Sequence, residues 1–111
     1  MTESAYEPAT APLEVGKNLT IAHAAALREL LLSEIEARPL LEIALPEDAE
    51  VDLSFLQLME SARLSAALQD KQISMRTPAG ATLMRLLERA GFTTDMSSES
   101  RAFWFHEGAI Q

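Results

Sequence analysis

Residues 40–76, LLEIALPEDAEVDLSFLQLMESARLSAALQDKQISMR, carry the pattern that decides the fold. The run 40–45 is short, apolar and set between Pro39 and Pro46. Leu41, Ile43 and Leu45 share one face of it, which suits a central strand ending at Pro46. After an acidic loop of Glu47, Asp48 and Glu50 the period lengthens. Phe55, Leu58, Met59, Ala62 and Ala66 trace the buried stripe of a helix over residues 54–69, and Ser54 with Gln57 has the spacing of a capping box. Ile73 and Met75 then mark another strand over 72–76. Strand, helix and strand in this order predict a crossover unit and parallel pairing.

The same alternation extends to both sides. Upstream, Leu13-Glu14-Val15 and Leu19-Thr20-Ile21 flank a turn-like Gly16-Lys17-Asn18 and read as two short strands or one bent strand. Leu27, Leu30, Leu31 and Ile35 give one stripe of a helix over 22–37 that Pro39 stops. Downstream, Thr77-Pro78 reads as N-cap and first position of a helix lined by Leu83, Leu86, Leu87 and Ala90, with Gly91 as its left-handed cap. A polar loop leads to residues 102–106, where Phe103-Trp104-Phe105 reads as a closing strand with rings on both faces, one for the core and one for a partner, a covering loop or a second subunit, core packing alone being the commoner explanation. The expected architecture is α/β, with a mostly parallel sheet of four to five strands and three to four helices.

Composition narrows the function. A chain of 111 residues with 48% apolar residues fits one domain with a buried core. Pro8, Pro12 and the small residues between them suggest a flexible leader over 1–12, with the domain over 13–111. No cysteine is present, which excludes disulfides, thiolate metal sites and cysteine nucleophiles and fits a reducing compartment. The N-terminal residues lack a basic, apolar signal pattern, and no apolar run approaches the roughly 20 residues that a membrane span needs. Nine basic against seventeen acidic residues, a net charge of −8, argue against nucleic acid and against an anionic membrane surface. These features predict a cytoplasmic protein that neither binds nucleic acid nor inserts into a membrane.

Candidate chemistry is sparse. His23 and His106 are far apart and suit surface or packing roles. Glu47, Asp48, Glu50 and Asp52 form a carboxylate-rich loop without the spacing of an EF-hand, and a solvated loop with Asp52 helping to cap the following helix explains it more simply. Gly16 and Gly80 stand alone, so no phosphate-cradling loop is present. No base, nucleophile and orienting residue form a recognisable set. The expectation is a non-enzyme with no cofactor and no metal.

Three segments together resemble the STAS family of anti-sigma-factor antagonists and related signalling modules. Residues 18–28, NLTIAHAAALR, are similar to the family's entry into its first helix. Val51-Asp52-Leu53-Ser54-Phe55-Leu56-Gln57-Leu58 resembles its Asp-Ser/Thr segment at the second helix. Thr77-Pro78 through Ala90-Gly91-Phe92 is similar to its third helix. The resemblance implies a non-catalytic module that binds another signalling protein, of a kinase, anti-sigma or chemotaxis kind, through Asp52, Leu53, Ser54, Phe55, Gln57 and Glu60. A homodimer is also open. The family's phosphorylated hydroxyl falls on Leu53, which has none, so the phosphoswitch is expected to be lost or altered. Ser54, one position on, stands at a helix N-terminus that would favour phosphate, and equally serves as a cap. The alternative implied by the family is a structural subunit of a membrane transport complex, which needs no switch.

Overall fold

Leu41 and Ile43 point to one side of β3 (Leu40–Ala44) and are buried, while Glu42 between them faces the other way and is half-buried. This period of two makes β3 the middle strand of a parallel sheet. β1 (Leu13–Glu14) pairs with it on one side, Leu13 opposite Ile43. β5 (Gln72–Met75) pairs on the other, with Ile73 opposite Leu41 and Met75 opposite Ile43. A second parallel pair joins β2 (Asn18–Leu19) to β4 (Glu50–Val51). The computed structural model describes residues 12–107, so the leader expected over 1–12 lies outside the described residues except for Pro12.

Among the described residues, five parallel-paired strands and four helices give the expected α/β class. The strands are divided between a three-stranded and a two-stranded sheet. Pro46 and Gly16 explain the division. Pro46 has no N–H with which to continue the β3 ladder. Past Gly16 the first strand bends away, and pairing resumes only where the Glu50 N–H donates to the Lys17 carbonyl at 2.7 Å.

The first two helices follow the sequence pattern closely. α1 (Ala24–Ala37) is entered through a 3-10 turn over Ile21–His23 and buries Leu27, Leu31 and Ile35. Leu30, expected on the same stripe, is exposed at its edge. α2 (Leu53–Leu68) buries Phe55, Leu56, Met59, Ala62 and Ala66, and it packs against α1 and β5. Lys71 joins the two helices to β5. Its ammonium donates to the carbonyls of Ile35 (2.7 Å) and Glu36 (2.8 Å), supplying a positive charge where the last carbonyls of α1 lack partners.

The C-terminal third departs from expectation in two places. α3 (Ala81–Arg89) has Gly80 as its N-cap, so Thr77-Pro78 precedes the helix and does not start it. The cause is long-range: the Ala79 N–H donates to the Trp104 carbonyl at 2.8 Å, which ties this segment to the end of the chain and not into a helix. Leu83 and Leu87 are buried as expected, and Ala90 is exposed. Gly91 does take the left-handed conformation, φ 82°, beyond the helix end.

The closing strand is instead a helix, α4 (Ser98–Phe105). The Ser97 hydroxyl accepts from the Ser100 N–H, Glu99 lies in the first turn, and His106 ends the helix at φ 60°. A strand would send Phe103 and Trp104 to opposite faces. The helix brings both into the core, where their rings meet edge to face at 4.8 Å and Trp104 lies 6.4 Å from Phe55. The aromatic surplus therefore needs no second subunit to cover it.

Two substitutions test this packing. Lys71→Met removes both bonds to the end of α1 and is expected to lower unfolding free energy by about 1–2 kcal/mol in a urea titration. Trp104→Phe leaves a cavity and a half-buried carboxylate without its indole donor, with an expected loss of about 2–4 kcal/mol read by circular dichroism.

Candidate functional site

The sequence-derived candidates fall on the first two turns of α2, and Asp52 organises them. It is the N-cap, with extended backbone, and its two carboxylate oxygens are divided between two elements. Oδ1 accepts from the Ser54 N–H at 3.0 Å and from the Ser54 hydroxyl. Oδ2 accepts from the Ile21 N–H at 3.0 Å, across 31 residues of sequence. One carboxylate thus caps α2 and ties the entry of α1 to it. The expected Ser54–Gln57 capping box is replaced by this arrangement, because Asp52 already satisfies the Ser54 N–H and Gln57 stays exposed.

The hydroxyl of Ser54, donating to Asp52, holds that carboxyl below its ordinary value of 3.8. Burial pushes the other way, and the backbone N–H groups of Ile21, Phe55 and Ser54 add to the lowering. The same geometry constrains modification at Ser54. A phosphate on its oxygen would remove the donor and set a charge of about −1.5 to −2 beside the Asp52 carboxylate. The favourable helix N-terminus is therefore opposed by the cap itself.

Around this cap two apolar side chains are left in solvent. Leu53 is 46% exposed and Ile21 72%. Ile21 was expected in a strand with Leu19. The structure buries Leu19 and turns the chain into the 3-10 segment, because the Ile21 N–H goes to Asp52 and not to a strand. Nothing in the local alternation signalled that exposure. Gln57 lies on the same outward side one turn along, whereas Phe55 is buried against Trp104 and supports the surface from beneath.

Glu60 has a different setting. Its Oε2 accepts from Trp104 Nε1 at 2.8 Å and its Oε1 pairs with Arg63, whose other bond runs to the Ser100 hydroxyl at 3.0 Å. The Arg63 guanidinium also lies 5.9 Å from the centre of the Phe103 ring. Its Nε is buried without a hydrogen-bond partner. Glu60 therefore fastens α4 to α2. Its partners, 44 residues away for Trp104, leave no trace in local periodicity.

The remaining candidates are dispersed. Asp48 pairs with Lys17 at 3.2 Å, and Asp52 is committed to the cap. Among the described residues no three His, Asp or Glu side chains come together as a metal site. His23 is exposed, and a ring nitrogen of His106 lies 2.9 Å from the Met75 carbonyl. A cleft of about 510 Å³ opens at the C-terminal ends of β3, β4 and β5, lined mainly by Leu45, Pro46, Val51, Met75, Ala79 and Leu83. Among the described residues Glu47 is the one ionisable residue on its walls. Among the described residues no helix is long and apolar enough to cross a membrane. No family model, no curated protein and no solved structure matches this chain.

The cap predicts a pH-dependent stability. A carboxyl whose folded value lies below its unfolded value stabilises the fold above about pH 4, and this contribution is lost as pH falls through the lowered folded value. Asp52→Ala is expected to cost about 0.5–2 kcal/mol near neutrality. The gap between variant and wild type should narrow in parallel denaturation curves as pH falls below the ordinary carboxylate range and Asp52 in the wild type becomes protonated.

Proposed function

We propose that this chain is a non-catalytic, STAS-like docking module that binds another protein at the tip of α2, through Ile21, Asp52, Leu53, Ser54 and Gln57. The observation that carries the reading is the Asp52 carboxylate, which ties the backbone of Ile21 to the start of α2, where Leu53 is exposed as Ile21 is. Solvent-exposed Leu and Ile held on ordered backbone, with polar residues around them, have the composition of a recognition patch. The neighbouring acidic residues would steer a partner with a basic rim.

The STAS resemblance makes that partner a cytoplasmic signalling protein of kinase, anti-sigma or chemotaxis type. In this reading Ser54 serves as a capping hydroxyl and the family's switch is absent, with Leu53 contributing contact area where a phosphate acceptor would stand. A switchless position 53 also favours a second reading, in which the same surface braces the ATPase of a membrane transport complex. Co-purification with such an ATPase distinguishes the two.

Affinity capture from the source cell with wild-type chain and with the Ile21→Asp, Leu53→Asp double variant tests the proposal. Both positions are exposed, so the variant is expected to fold and to lose the captured partner at least tenfold. Equal recovery by the two proteins would overturn the assignment of the surface. Stoichiometric kinase labelling of Ser54 would overturn the switchless reading while leaving the docking surface standing.

A further inference from the structure

We draw no further inference here: the strongest candidate, the mainly apolar cleft between the C-terminal ends of β3, β4 and β5 and the start of α3, has only that helix start and the exposed Glu47 to select a ligand, and nothing in the structure shows what fills it.

Discussion

The divided hydrogen bonding of Asp52 is the constraint on which the surface described above depends. A helix start leaves N–H groups without partners, and a capping carboxylate satisfies them locally. Here the second oxygen reaches the Ile21 N–H as well, so the condition that starts α2 also fixes where α1 begins. That bond ties the 3-10 turn to the start of α2, one residue before the exposed Leu53.

A second polar connection works farther along the helix. Glu60, Arg63, Ser100 and Trp104 join α2 to α4 through charge-assisted bonds in a partly buried setting. This network consumes the charges of α2 and leaves the outward side of the helix neutral. The packing of α4 and the uncharged outward side are thus two results of one arrangement.

The sequence made the central strand–helix–strand unit legible because its signals are local. Leu41 and Ile43 alternate, Met59, Ala62 and Ala66 recur at helical spacing, and Pro39 and Pro46 punctuate the strand. The capping role of Asp52 was readable for the same reason. What escaped was long-range. Phe103-Trp104-Phe105 has the composition of a strand, and the Ser97 cap with Glu99 in the first turn passed as a polar loop. Thr77-Pro78 has a fitting start signal, but the bond from Ala79 to Trp104 overrides it. Ile21 looked like a partner of Leu19 until Asp52, 31 residues on, claimed its N–H. Leu53, Leu64 and Leu68 were visible as apolar residues, but that they face solvent follows only from the position of the core.

The central claim is that α2 presents its outward side for recognition, and leucine-methyl NMR on the full chain reads this most directly. Leu53, Leu64 and Leu68 lie on that side, while Leu40 is exposed elsewhere, in β3, and serves as an internal control. On adding a captured partner, the account predicts shifts and broadening confined to methyl groups on α2, with Leu40 unchanged. Perturbation at Leu40 with an unaffected α2 would contradict it.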